Sequence, residues 1–457
     1  MTFLSTTWVA RALGQAPPET ERHLTQITSD SRAVKPGALF VALIGENTDG
    51  HNFVDKARAA GASAIVHLPT FTPPADMASF PVKDTLEAWR KLSQAWRREF
   101  RIPMAVVAGS AGKTTSKELL AALFRGRWKN VLKTEGSQNG FQGVPTTLLR
   151  LAPEHEAAVI EVGIDEPKAM IQHLELVQPD CGLLTSIGPE HLEKLIDLDT
   201  VEREEGLLFK VLEQNKGFAA VNLDDERIVN QAGQLKSANS LTYSLRQKAD
   251  VRGHLHVAGE SLFIDVEGLS GQPVRFAVPL EGAHNALNLL GAIALGHGLG
   301  LSPAEMQAGL NTFTPPPGRS EVHHWQGAKV LADTYNANPT SVEAALETLF
   351  AGAPKGETWV CLGDMLEMGA LEERLHRGLA GPILKHGVRH VLLFGPRMKN
   401  LQAELKAQGY QGTLEHFDSH EMMAARLRAS VKAGDRILLK GSRGMKMENV
   451  WKALQPS

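Results

Sequence analysis

The chain has 457 residues, 43% of them hydrophobic and 22% charged, with 48 Lys and Arg against 51 Asp and Glu. At roughly 150 residues per domain this length implies about three domains. The ordinary composition excludes disorder, and a net charge of −3 gives no electrostatic case for nucleic acid or an anionic membrane as partner. Two cysteines, Cys181 and Cys361, are too few for a disulfide framework or a zinc knuckle. The chain begins without a basic, apolar leader, and no apolar run is long enough to span a bilayer. A cytoplasmic protein with no integral membrane association, acting as a monomer, is expected.

Residues 1–82 read as a small first unit. Ala38–Leu43 and Ala64–Val66 are short apolar runs behind the turn signals Lys35-Pro36-Gly37 and Gly61. Four prolines between Pro69 and Pro81 place a boundary there. The second unit, 83–314, opens with a helical pattern over Leu86–Phe100. Met104–Ala108 then reads as a buried strand, ahead of a glycine-rich turn and a helix over Ser116–Arg125. Further strands at Ala157–Val162, Gly182–Ser186 and Phe218–Asn222 alternate with helices, which implies a parallel sheet covered on both faces. Alternation at Leu262, Ile264 and Val266 predicts antiparallel strands at its edge. Pro315-Pro316-Pro317-Gly318 opens the third unit, 315–457. Strands predicted at Val330–Ala332, Thr358–Leu362, Val388–Phe394 and Arg436–Leu439 make it Rossmann-like, although no G-x-G-x-x-G is present. The fold class is therefore α/β in three domains.

The strongest local signal is Gly109-Ser110-Ala111-Gly112-Lys113-Thr114-Thr115, between a strand and a helix. Glycines admit phosphates close to the backbone, helix N–H groups face the anion, Lys113 adds charge and a Thr hydroxyl can join a magnesium shell. The spacing is shorter than the full G-x-x-x-x-G-K-[ST] pattern. Glu161 ends a strand, where parallel sheets bind ligands; it is either a magnesium ligand or a strand-end cap. His191 follows the next strand, at the same rim, as a functional or a merely solvated side chain. Val201, Glu205, Leu208 and Leu212 fall on one helical stripe. Glu205 there either meets a cation or sits at a solvated edge. Asn285 and Asn288 share a helix face and suit a purine edge or a helix cap. Asn338-Pro339 is in itself a plain helix-start signal.

Taken together these motifs resemble the Mur ligase family across nearly the whole chain. In the first unit the resemblance rests on Ser29-Asp30-Ser31-Arg32, Pro36-Gly37, Leu39-Phe40-Val41-Ala42 and Asp49-Gly50-His51. In the second it rests on the glycine loop, Glu161-Val162-Gly163, His191-Leu192-Glu193 and His284-Asn285-x-x-Asn288. The third supplies Arg319, Asp333-Thr334-Tyr335-Asn336-Ala337-Asn338-Pro339, Gly363-Asp364-Met365-x-Glu367-Met368-Gly369, His376 and Lys440-Gly441-Ser442-Arg443. Many ordered motifs across three units make the match specific.

The resemblance implies a UDP-sugar-binding first domain, an ATP-binding P-loop domain and a C-terminal ligase domain. It implies ATP and Mg2+ as cofactors, with UDP-MurNAc-tripeptide and D-Ala-D-Ala as substrates, joined through an acyl phosphate in peptidoglycan precursor synthesis. Lys113, Glu161, His191, Glu205 and Arg319 are then catalytic, with Thr114, Glu161, His191 and Glu205 toward metal. Residues Gly109 to Thr115, Asn285, Asn288, Arg319 and Asp333 would hold the nucleotide. Ser31, Arg32, Asp49, Gly50, His51, Asn139, Tyr335, Asn336 and Asn338 would contact substrate. Two departures stand out. Glu205-Gly206 occupies the place where the family usually carries a carbamylated lysine. Gly136-Ser137-Gln138-Asn139-Gly140 keeps only Asn139 of the Asn-x-Asn-Asn pattern usual in the dipeptide-adding branch. A relative that ligates a different amine, or a nucleotide-binding partner without catalysis, are the alternatives.

Overall fold

The structure, a computed structural model, describes residues 4–45, 48–236, 239–258, 261–352 and 354–455. Three sheets organise it, and the fold is α/β throughout.

The first sheet has four parallel strands in chain order, Ile27–Thr28, Leu39–Val41, Ala64–His67 and Ala78–Pro81. The last lies inside the proline-rich stretch where the sequence places the first boundary. It is an edge strand ending in Pro81, where a missing N–H costs no ladder bond. Only Phe80 of its four residues is buried, so no periodicity betrays it. Helix Thr85–Arg97 is capped by Asp84, whose carboxylate accepts from the Leu86 and Glu87 N–H groups. Its Ala88, Trp89 and Leu92 join the first core, with Leu24, Ile27, Val41 and Phe80. Its other side faces the central unit, where Trp96 Nε1 donates to Leu151 O and Arg97 Nε to Val177 O. The helix expected to open the second unit thus also closes the core of the first.

The central sheet has nine strands. Met104–Ala108 lies between Ala157–Glu161 and Cys181–Leu184, parallel to both and wholly buried. Helices Lys113–Arg125 and Ala283–Gly298 cover one face, and Ala169–Val177 and Leu198–Asn215 the other. Val251–Ala258, Ser261–Glu267 and Val274–Val278 form the antiparallel edge. The third sheet runs Glu321–Trp325, Ala328–Asp333, Arg436–Lys440, Thr358–Gly363, His390–Phe394, Thr413–Phe417, with only the first strand antiparallel. The carboxyl ends of the central and third sheets are brought to a shared opening, the place where open α/β sheets take ligands. Among the described residues no helix is long and apolar enough to cross a membrane.

Candidate active site

A cavity of about 730 Å³ lies between the second and third units. Its central wall holds the glycine loop, Glu161, His191, Asn285 and Asn288, and its opposite wall holds Arg319, Asp333, Tyr335, Asn336 and Asn338. Residues distant in sequence thus meet because they stand at strand ends, in first helical turns or in the turns beside them.

The loop forms because its backbone must turn sharply. Gly112 has φ +85°, and a Cβ there would stand 2.5 Å from Asn288 Oδ1. Two loop amides are already committed. Ser110 N–H donates to Ser186 O (2.7 Å) and Ala111 N–H to Ser186 Oγ (3.1 Å). Buried N–H groups must pair, so this tether leaves any phosphate to the amides nearer the helix start. Lys113 Nζ donates to Gly109 O (2.5 Å) and to Glu190 Oε2 (3.0 Å). Burial works against its charge, but Glu190, Glu205 and Glu161 outweigh burial and hold its pKa above the ordinary lysine value.

Glu161 is buried at the end of its strand. Its Oε1 accepts from Thr114 Oγ1 (3.0 Å) and Asn139 Nδ2 (2.8 Å). Its Oε2 has no hydrogen-bond partner and lies 3.6 Å from Lys117 Nζ. Lys117 is itself fully buried and donates to the Thr134 and Gly136 carbonyls. It was invisible as a site residue in sequence, although it stands one turn beyond Lys113 on the same helix face. Glu190 is a second missed residue. It is buried, one oxygen faces Lys113 and Oε1 is unpartnered.

Glu205 interrupts its apolar stripe as expected, but not at a solvated edge. It is fully buried behind the cavity wall, with no well-formed hydrogen bond on either oxygen and with Glu190 and the Gly109 backbone as its polar neighbours. Burial first, and then the Glu190 charge, push its pKa well above the usual carboxylate range, while Lys113 pulls the other way. His191 has φ +48°, and its Nδ1 meets Glu367 Oε2 of the third unit at 2.5 Å. Burial lowers its basicity, but Glu367 and Glu190 more than compensate and raise it.

Asn285 Nδ2 donates to Glu281 O, and Asn288 Nδ2 to Asn285 Oδ1 (3.2 Å), so the two amides share a face and each other. Across the cavity Asp333 Oδ2 lies 2.5 Å from Lys440 Nζ, which also donates to Asn336 O. Burial opposes the Asp333 charge, but Lys440 holds its pKa below the ordinary value. Between them sits His284, near Ser320 Oγ and Thr348 Oγ1, pushed down to about 4 chiefly by burial. Arg319 Nη2 reaches Ser137 Oγ (3.1 Å), which is 3.0 Å from Thr114 Oγ1. Asn338 lines the cavity but also caps helix Pro339–Phe350, accepting from Ser341 N–H at 2.8 Å.

The first-unit residues do not join this cavity. Ser31 is buried; Arg32 is exposed and forks onto Asp30. Asp49 accepts from the His51 N–H and ring, with Gly50 packed tightly against the 42–43 backbone.

Three family models match the chain: Mur ligase family, catalytic domain, over residues 23–97; Mur ligase middle domain over 107–296; and Mur ligase, glutamate ligase domain over 318–443. The UDP-N-acetylmuramoyl-tripeptide–D-alanyl-D-alanine ligase of Synechocystis is 34% identical over 423 residues, 92% of this chain and 89% of that protein. Its Escherichia coli counterpart is 34% identical over 439 residues, 94% of each. A crystal structure of MurF from Acinetobacter baumannii shares the fold at TM-score 0.87 and 25% identity, over 99% of both chains. The MurF ligase of Thermotoga maritima, solved with ADP, does so at TM-score 0.82 and 24% identity, over 94% of this chain and 96% of that one. These matches show that the chain belongs to the Mur ligase family.

Proposed function

We propose that the protein is an ATP-dependent amide ligase that joins D-Ala-D-Ala to the terminal carboxylate of UDP-MurNAc-tripeptide. The observation that carries this is one cavity lined by the glycine loop at the carboxyl ends of the central sheet and by Arg319, Asp333 and Tyr335 at the facing rim of the third sheet. A triphosphate spanning it would be gripped by two units at once, and closure would exclude water from a reactive intermediate. The acceptor carboxylate attacks the γ-phosphorus, the bond to the β-bridging oxygen breaks, and ADP leaves. The dipeptide amine then attacks the acyl carbon. The carbon–oxygen bond breaks, inorganic phosphate leaves, the amine loses its proton and an amide remains.

Phosphoryl transfer asks for positioning and charge neutralisation. Lys113 and the amides at the start of its helix supply these for the phosphates, and Arg319 adds a cation from the facing unit. Asn285 and Asn288 are assigned to the adenine and Asp333 to the ribose. The donor chemistry suits a hard divalent cation, since Glu161 Oε2 and Glu190 Oε1 are buried without partners and the Thr114 hydroxyl is adjacent to Glu161, although among the described residues no three acidic or histidine side chains converge on one point. Mg2+ held there by Thr114 and Glu161, with His191 on a second ion, would supply neutralisation of the transferring charge. Glu205, behind Glu190 and Lys113, stands where a modified lysine is usual, and would add its negative charge to that set only once bound cations offset the burial that raises its pKa. Ser31, Arg32, Asp49, Gly50 and His51 are assigned to the sugar nucleotide, and Asn139 to the acceptor end. We place the protein in the cytoplasm as a monomer.

The test is purified protein with ATP, Mg2+, UDP-MurNAc-tripeptide and D-Ala-D-Ala, with products identified by mass spectrometry. Phosphate release that requires both substrates, with a pentapeptide product, is the expected result. Ligation of other amines but not this dipeptide would overturn the amine assignment. Release of phosphate without either substrate would overturn the ligase reading itself.

A further inference from the structure

The third unit holds one more cation beside the transfer site. Tyr335 lines the cavity, and two guanidinium groups lie over its ring, Arg319 at 4.1 Å and Arg443 at 5.5 Å from the centroid. Arg319 marks the phosphoryl end, since it reaches Thr114 of the P-loop through Ser137. Arg443 does not line the cavity; its side chain is 64% exposed and its ion-pair partner is Glu448, at 3.0 Å through Nη1. A guanidinium carries five N–H donors in a rigid fork, so one Nη1 contact leaves most of that fork unspent. Two neighbouring cations of the third unit are already taken: Lys440 by Asp333 and Asn336 O, Arg397 by Glu372 and Asp364.

Length and charge identify what Arg443 would receive. Both guanidinium groups touch one ring, so their centres lie no more than about 10 Å apart, and an extended dipeptide spans about 7 Å. A dipeptide nucleophile is a zwitterion. Its amine must reach the acyl phosphate near Arg319 as a free base, which leaves its carboxylate as the one remaining charge, a dipeptide's length away. We propose that Arg443 receives the C-terminal carboxylate of the incoming dipeptide, and that Tyr335 spaces this fork from Arg319 so that the amine reaches the acyl carbon. This rests on the ligase reading above and names the recognition element for its amine substrate.

The experiment uses the full-length protein with saturating ATP, Mg2+ and UDP-MurNAc-tripeptide, and compares D-Ala-D-Ala with its C-terminal amide. Wild type should prefer the free acid in kcat/KM by roughly tenfold to a hundredfold, the range for a hydrogen bond to a charged group. R443A should raise the KM for D-Ala-D-Ala by a similar factor, leave the KM for ATP within about twofold, and lose the preference for acid over amide. R443K, which keeps the charge without the fork, should retain part of it. An R443A enzyme that still prefers the acid by the wild-type ratio would overturn the subsite while leaving the ligase reading intact. A wild-type enzyme that ligates neither dipeptide would remove both.

Discussion

Lys113, nearly buried, and Lys117, fully buried, are cations beside three carboxylates, Glu190, Glu161 and Glu205, the last held toward its protonated form by burial, and this crowding is the central fact of the site. An excess of buried negative charge is costly unless cations arrive. On the proposed function the unpartnered carboxylate oxygens would take metal, and Lys113 would face the phosphates. We expect Lys113→Ala to cut kcat by roughly a hundredfold to a thousandfold, the usual loss when one preorganised charge-stabilising donor is removed. Circular dichroism should show the fold retained; wild-type turnover in this variant would remove the P-loop assignment. Gly112 makes a second prediction at this scale. A methyl group there would meet Asn288 at 2.5 Å and be held at φ +85°, so Gly112→Ala must push the asparagine pair aside. The KM for ATP should rise at least several-fold, and an unchanged value would show that the loop does not need this close approach.

Elements were read from the sequence unevenly, and burial explains the pattern. Met104–Ala108 and Phe218–Asn222 stand where their apolar runs place them, because buried parallel strands carry a continuous signal. Ala78–Pro81, Val131–Lys133 and Thr413–Phe417 carry little or none of that signal, since they are short and mostly half-exposed. Helix Ala169–Val177 hides a polar group no pattern exposes. Its His173 is fully buried against Phe141, with both ring nitrogens unpartnered, and burial brings its pKa down to about 4. Unfolded, it would titrate near 6.5. Neutral His173 therefore contributes stability fully above that value, and the contribution is lost as pH falls through about 4. At most this amounts to about 3 kcal/mol. Thermal melts from pH 7 to 4 should show a shallower loss of stability for His173→Leu than for wild type; parallel curves would mean that the histidine is not buried neutral.

At the scale of the whole molecule, the site exists only while the second and third units stay together. His191 and Glu367 join them, and the Glu193 N–H donates to Glu367 O. Gly369, at φ +55°, lets the 192–193 backbone approach, since a Cβ would meet Leu192 O at 2.8 Å. The ion pair is partly exposed, with side-chain accessibilities of 31% and 56%, so it is worth no more than about 1 kcal/mol. Glu367→Ala should therefore shift closure modestly. The KM for ATP should rise by up to about fivefold, with a larger radius of gyration in small-angle X-ray scattering. No change in either would show that this contact does not hold the units.

Sequence alone determined the three-part α/β organisation, the glycine loop between a strand and a helix, the family resemblance and the carboxylate at the end of its strand. Those are local matters: periodicity, turn chemistry and short motifs are written in contiguous residues. Tertiary structure alone decided that helix Thr85–Arg97 serves two cores, that Glu190 pairs with Lys113 and Lys117 lies beside Glu161, and that Glu205 lies behind the cavity wall. Each depends on which strand ends stand side by side, and a side chain's electrostatic surroundings come from neighbours tens to hundreds of residues away.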